Sequence, residues 1–224
     1  MGQVRTILLE RSVFANNDAR ADILRKDLRK SGVMLVNVMS SPGAGKTSTL
    51  TSLINSIKDK VKIAVMEADI DSDVDAKSIV KNTGVDSIQL HTGGMCHLDA
   101  DMTREGLEAI DYSKYDLIFL ENVGNLVCPA EFDTGATMDI MILSTSEGDD
   151  KPLKYPLIFQ KCDLVIISKI DALKYFTFDL EKCKQNILFR NKGAKIVPIS
   201  NKTQEGIEEL STFFLKTIKS YKEV

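Results

Sequence analysis

The chain has 224 residues, a hydrophobic fraction of 43% and 29 basic against 32 acidic side chains, for a net charge of -3. At roughly 150 residues per domain this is one generous domain with apolar material for a full core, which excludes a disordered chain and a disulfide-held miniprotein. The balanced charge offers no field to attract nucleic acid, and no run approaches the ~18 apolar residues of a membrane span. The four cysteines, at 96, 128, 162 and 183, have no close pairing, and the opening stretch MGQVRTILLERSVF has neither a long apolar core nor a small-residue cleavage site. A cytoplasmic protein with reduced thiols is expected.

Residues 1–32 stand apart, with seven basic against four acidic side chains. Asn17 or Asp18 offers a helix N-cap, Ala19, Ile23 and Leu28 supply part of an apolar stripe, and Gly32 ends the helix. An N-terminal helical extension over 1–32 is therefore expected to pack on a domain spanning 33–224. Its basic face reads either as a solvated surface or as a docking surface for a partner. Seven short apolar runs follow: Val33 to Met39, Val61 to Met66, Ser87 to Leu90, Leu117 to Leu120, Ile140 to Leu143, Leu164 to Ile167 and Ile196 to Ile199. Most lack period-two alternation, the pattern of strands covered on both faces. Helix-compatible segments lie at Thr47 to Ile57, Asp75 to Asn82, Ala100 to Ile110, Leu153 to Lys161, Asp179 to Phe189 and Gln204 to Ile218. At about 30 residues per strand and helix, the chain is used up by one α/β domain, a doubly wound, mainly parallel sheet of about seven strands flanked by helices.

The first strand runs into Ser40-Ser41-Pro42-Gly43-Ala44-Gly45-Lys46-Thr47 and a helix-compatible run opened by Ser48. Small residues let backbone N–H groups curl around a β-phosphate, Lys46 reaches the β- and γ-oxygens, and the Thr47 hydroxyl is placed to ligate Mg²⁺. The positive end of the following helix adds to this anion site. The nucleotide contacts are thus Gly43, Ala44, Gly45, Lys46, Thr47 and Ser48, in a P-loop NTPase whose first loop glycine is replaced by Ser40.

Ser168-Lys169-Ile170-Asp171 resembles the guanine-reading N-K-x-D element of GTPases. Asp171 can accept from N1–H and the exocyclic amine of guanine, whereas adenine offers neither donor there and would leave a carboxylate unpaired. Lys169 would lay its stem along the base, and Ser168 stands where that element has an asparagine bracing the neighbouring loops. Ser200-Asn201-Lys202 sits where a GTPase places its second base-contacting loop, with Ser200 and Lys202 as contacts. Glu121-Asn122-Val123-Gly124 closes a strand, so Glu121 can hold Mg²⁺ and Gly124 can offer its N–H to a γ-phosphate. Of five carboxylates between Glu67 and Asp75, Asp69 is the candidate switch carboxylate near Mg²⁺; the alternative is a solvated acidic face. Lys46, Thr47, Asp69 and Glu121 form the catalytic set, and no glutamine is assigned to the attacking water, so turnover of GTP to GDP should be slow.

Cys96-His97 and Cys128-Pro129 carry two thiols and an imidazole, a donor set suited to Ni²⁺ or Zn²⁺ and unsuited to Mg²⁺. Three donors are one short of a closed tetrahedron, which fits metal hand-over, and Cys128 lies four residues past Gly124. The alternative is that these cysteines are small buried hydrophobes. Cys162, Cys183 and His91 are read as structural.

Together SSPGAGKT, CHLDA, ENVGNLVCPAEFDTGA, SEGDDK and SKID resemble the HypB family, nickel-insertion accessory GTPases of [NiFe]-hydrogenase maturation. The resemblance implies a GTP-hydrolysing metallochaperone that dimerises with nucleotide and binds Ni²⁺ or Zn²⁺ through Cys96, His97 and Cys128, with two chains pooling ligands. It also implies a HypA-type nickel chaperone and the hydrogenase large subunit as partners. Some members carry an N-terminal C-x-x-C-G-C motif or a histidine-rich tract; this chain has neither, so nickel storage is not expected. The urease nickel-insertion GTPases carry a Cys-Pro-His triplet, whereas Cys128-Pro129 is followed here by Ala130. A regulatory GTP-binding switch without a metal site and a P-loop kinase are the remaining alternatives.

Overall fold

The computed structural model describes residues 9–69 and 74–223, with side chains from residue 16 onward. The order is α1 (Leu9–Ser31), β1 (Met34–Ser40), α2 (Lys46–Ile57), β2 (Ile63–Asp69), α3 (Val74–Thr83), β3 (Asp86–His91), α4 (Ala100–Ile110), β4 (Leu117–Glu121), α5 (Cys128–Glu131), β5 (Met138–Ser144), α6 (Lys151–Lys154), α7 (Pro156–Lys161), β6 (Leu164–Ser168), α8 (Leu180–Arg190), β7 (Lys195–Pro198) and α9 (Ile207–Lys222). The strands form one sheet in the order β3-β2-β4-β1-β5-β6-β7, and every pairing is parallel.

Every residue of β1, β4 and β6 is buried, because helices cover both faces. Leu50, Leu53 and Ile57 of α2, Ile79 of α3 and Leu210 and Phe214 of α9 fill one side. On the other, Leu24 and Leu28 of α1 meet Leu107 of α4, while Phe159 of α7 and Ile187 of α8 cover the far half. From central β1 the chain winds outward to β2 and β3, returns to β4, then crosses to β5, β6 and β7. The carboxyl ends of β1 and β4 therefore lie side by side where the winding reverses, the place where open α/β sheets bind ligands.

α5 has no counterpart among the expected helices, and two further segments differ from the sequence pattern. α1 is already helical at Leu9, eight residues before Asn17, so neither Asn17 nor Asp18 caps it. Its buried stripe is Asn17, Ala21, Leu24 and Leu28, whereas Ala19 is exposed and Ile23 is 54% exposed. The expectation took the apolar residues for the stripe; the true 3.6-residue period includes a polar one. The helix expected over Leu153 to Lys161 is divided into α6 and α7 at Tyr155, whose φ of -124° and ψ of 62° are not helical. Pro156 is the cause, since its ring excludes the α conformation from the residue before it.

One polar chain crosses the central strands. Asn37 Nδ2 donates to Asp139 Oδ1 at 2.8 Å, and Asn122 Nδ2 donates to Asn37 Oδ1 at 3.0 Å. Burial pushes the Asp139 carboxyl up from 3.8 to about 6, against the pull of the Asn37 hydrogen bond. Between those values the folded chain holds a proton that the unfolded chain releases, so the contribution favours folding at low pH and is lost as pH rises through about 6. Asp139→Asn removes the ionisation and keeps an acceptor for Asn37. Its urea midpoint should therefore correspond to ~1–2 kcal/mol more stability than wild type at pH 7.5, with the gap closing toward pH 4.

Candidate nucleotide and metal site

The loop between β1 and α2 is shaped by Gly43 and Gly45, at φ 74° and 94°, where a side chain would be strained. Lys46 Nζ lies 3.1 Å from Ser40 Oγ and 3.9 Å from Glu121 Oε1, and Thr47 Oγ1 donates to Glu121 Oε1 at 3.2 Å. Ser48 is exposed at the start of α2. The loop is braced from both sides. Ser168 Oγ donates to the Ala44 carbonyl at 2.7 Å and Lys169 Nζ to the Gly43 carbonyl at 2.7 Å. Ser41 Oγ donates to the Glu147 carboxylate, whose Oε1 also accepts from Ser144 N at 2.9 Å. Ser168 thus supplies the brace for which N-K-x-D elements use asparagine, and Glu147 is a bracing residue that the sequence pattern did not single out.

Asp171 is fixed by Ser200, whose Oγ donates to Oδ1 at 2.6 Å and itself accepts from Thr203 N at 3.1 Å. Asn201 Nδ2 reaches Thr49 Oγ1 at 3.0 Å and so ties this loop to α2, while Lys202 is exposed on it. A cleft of ≈ 590 Å³ brings Gly43, Lys46, Thr47, Glu121, Gly124 and Lys169 together.

Beside Lys46 the strand register aligns Gln89 of β3, Glu67 of β2 and Glu121 of β4 in one row. Glu67 and Glu121 are 2% and 3% exposed, which two adjacent carboxylates tolerate only by sharing a proton. Burial and the neighbouring Glu121 push Glu67 far up, so it holds that proton. Burial also raises Glu121, while Lys46 draws it back down, leaving it at about 7. Among the described residues, Glu67 Oε1, Gln89 Oε1 and Glu121 Oε2 meet no hydrogen-bond partner, and these three side chains border a recess of ≈ 40 Å³ reached by Asp69 and Gly124. An unpaired carboxylate oxygen beside a hydroxyl is a hard, all-oxygen donor set that fits Mg²⁺, with Thr47, Asp69 and Glu121 as the residues that would hold it. Asp71 and Asp73 lie outside the described residues. Glu67 and Gln89 were missed because only the pairing register reveals the row.

Gly124 packs against the phosphate loop itself, and a Cβ there would sit 3.1 Å from Pro42 Cγ and 3.2 Å from Pro42 N. Four residues on, Cys128 opens α5, and its Sγ lies 2.8 Å from that of Cys96. The Cys96 thiol raises the proton affinity of Cys128 by this hydrogen bond. His97 Nδ1 is 3.9 Å from Cys96 Sγ, and its ring stacks on Phe132 with centroids 3.7 Å apart. Burial lowers the His97 pKa, which favours the neutral imidazole, the form that offers a lone pair. The fold therefore brings the Cys128 thiol to the adjacent Cys96 and His97, the two cysteines being 32 positions apart in sequence. Among the described residues no group of three such donors is closed around one point. Cys162 and Cys183 are buried in the core with thiols raised by burial, Cys183 to about 12, and His91 is exposed at the end of β3.

Residues 34–198 match the family model described as CobW/HypB/UreG, nucleotide-binding domain. The chain is 40% identical over 213 residues to the hydrogenase/urease maturation factor HypB of Helicobacter hepaticus, covering 93% of this chain and 87% of that one. The chain belongs to the HypB family. Two solved HypB structures share its architecture. One, from Archaeoglobus fulgidus, is 37% identical with a TM-score of 0.85 and matches 91% of this chain and 99% of its own. The other, from Helicobacter pylori in complex with nickel, is 38% identical with a TM-score of 0.86, over 92% and 96% of the two chains.

Proposed function

We propose that this chain is a GTP-hydrolysing metallochaperone that binds nickel, or zinc in its place, and gates nickel delivery to [NiFe]-hydrogenase through nucleotide-dependent dimerisation. The observation that carries the reading is Gly124 packed on Pro42 of the phosphate loop, with the Cys128 thiol only four residues farther along and 2.8 Å from Cys96. A γ-phosphate that shifts Gly124 has a short path to the metal ligands. Lys46 and the loop amides bind the phosphates, Lys169 and Asp171 read guanine with Ser200 behind them, and Thr47, Asp69 and Glu121 hold Mg²⁺. When bound, Mg²⁺ supplies neutralisation of charge on the transferring phosphoryl group. Cys96, His97 and Cys128 form an open, soft to borderline ligand set, and a second copy of the chain completes it.

The Helicobacter hepaticus relative is named for both hydrogenase and urease, which keeps a urease-type recipient as the second reading. The nickel complex of the Helicobacter pylori relative supports nickel as the cargo. A HypA-type chaperone and the hydrogenase large subunit are the proposed partners in the cytoplasm. No helix among the described residues is long and apolar enough to cross a membrane. The test is a titration of Ni²⁺ into the reduced protein, followed by thiolate-to-nickel absorption with GDP and with a non-hydrolysable GTP analogue. A band whose midpoint differs between nucleotides supports the gate, and its absence leaves a regulatory GTP-binding switch. Cys128→Ala should weaken nickel binding more than about tenfold with GTP binding intact.

A further inference from the structure

Asn17 lies on the buried face of α1 and is 8% exposed. An asparagine inside a helix is disfavoured, and a buried amide is costly unless both its ends are bonded. Both are. Oδ1 accepts from the Ala100 backbone N–H at 3.0 Å, and Nδ2 donates to the Asp133 carbonyl at 2.9 Å. These partners fix the amide orientation, since an N–H only donates and a carbonyl only accepts.

Ala100 opens α4 three residues after His97, and Asp133 follows Phe132, the residue on which His97 stacks. α1 holds the Asp133 turn a second time, because Arg25 Nη2 reaches both carboxylate oxygens at 2.7 Å and Arg25 Nε donates to the Ala136 carbonyl at 3.0 Å. Gly135 in that turn has φ 77° and no room for a Cβ, which would lie 2.8 Å from Leu24 of α1. A single side chain thus joins the segment following Cys96-His97 to the segment following Cys128, at sequence separations of 83 and 116 residues. Neither bond leads to the phosphate loop.

We infer that Asn17 is a positioning residue for the metal site: it sets the separation of the two ligand-bearing segments, and α1 is their brace. The inference rests on the metal-binding reading above. Donors bind a metal tightly only when the groups behind them hold their spacing, and loss of such support weakens binding by about 10–100-fold.

The test titrates Ni²⁺ into the reduced full chain of wild type, Asn17→Ala, Asn17→Asp and Leu28→Ala, following thiolate-to-nickel absorption alongside GTP turnover and urea midpoints. Leu28 is fully buried on the same helix, so Leu28→Ala lowers stability without removing either Asn17 bond. Asn17→Ala is expected to weaken nickel binding about tenfold while GTP turnover holds. Asn17→Asp keeps an acceptor for Ala100 but sets an anion against the Asp133 carbonyl, and should weaken binding at least as much. Leu28→Ala, at an equal or larger loss of urea stability, should stay near the wild-type nickel affinity. Unchanged nickel affinity in Asn17→Ala, or affinity that simply follows stability across all three variants, overturns the brace. Absence of the band in wild type instead overturns the metal-binding reading and the brace with it.

Discussion

Asp171→Asn is expected to transfer the base preference from guanine to xanthine. Guanine presents two donors on one edge, N1–H and the exocyclic amine, and a carboxylate accepts both. Xanthine keeps N1–H but carries a carbonyl in place of the amine, so the matching side chain has one acceptor and one donor, which is an asparagine amide. The site is built to hold such a group still. Ser200 Oγ donates to Asp171 Oδ1 at 2.6 Å, and Ile170 N is pinned to the Ile199 carbonyl at 3.1 Å. An asparagine oxygen can accept the same Ser200 bond, leaving its NH₂ toward the base. With GTP, that NH₂ would face the guanine amine, donor against donor, and both groups would be unpaired. Two mismatched polar groups facing each other at the base edge cost ~3–4 kcal/mol, or about 10²–10³ in kcat/KM for GTP. Competition between GTP and XTP measured on wild type and variant gives the ratio directly, and a variant that still prefers GTP would show that Asp171 does not read the base.

The order of elements was legible because a parallel sheet covered on both faces announces itself as short unalternating apolar runs. Local exceptions have local causes. Pro156 broke a helix whose apolar pattern continued through it, and Asn17 hid the buried stripe of α1 because hydropathy treats a doubly bonded amide as a surface residue. The phosphate loop and the Ser168 to Asp171 element proposed to read the base stood out in the sequence for a different reason. Their chemistry needs particular residue types at fixed local spacing, so the pattern survives without the fold. Glu67 and Gln89 had no such local signature. Their place beside Glu121 arises from β2 lying between β3 and β4, and strand order and register are properties of the whole sheet. The same holds for Cys96 and Cys128, whose residue types pointed to metal while only the fold brings their sulfurs to 2.8 Å. Asn17 went further out of reach, since a brace is recognised by its two partners and not by its own identity.

Removing the lysine of the phosphate loop should produce the other large effect, in two separable parts. Lys46 Nζ sits 3.1 Å from Ser40 Oγ and 3.9 Å from Glu121 Oε1, at the mouth of the recess that also holds Glu67. In the proposed nucleotide complex its charge faces the β- and γ-phosphates, so Lys46→Ala should lose about 100-fold or more in nucleotide affinity, ~2.7 kcal/mol, with hydrolysis falling at least as far. The second part appears without nucleotide. The Lys46 charge is the foremost influence holding Glu121 down against burial, which leaves that carboxyl at about 7. Without it the buried Glu121 must keep its proton to a higher pH. A carboxyl raised above its unfolded value favours folding at low pH and withdraws that contribution as pH rises through the folded value. Raising that value further carries the loss to higher pH in the variant than in wild type. The urea stability of Lys46→Ala should therefore lie closest to wild type near pH 6 and fall progressively behind it toward pH 8.5, both measured nucleotide-free. A gap that stays constant across this range would mean that Lys46 does not hold the Glu121 charge in the folded chain, and that its role begins only with the phosphates.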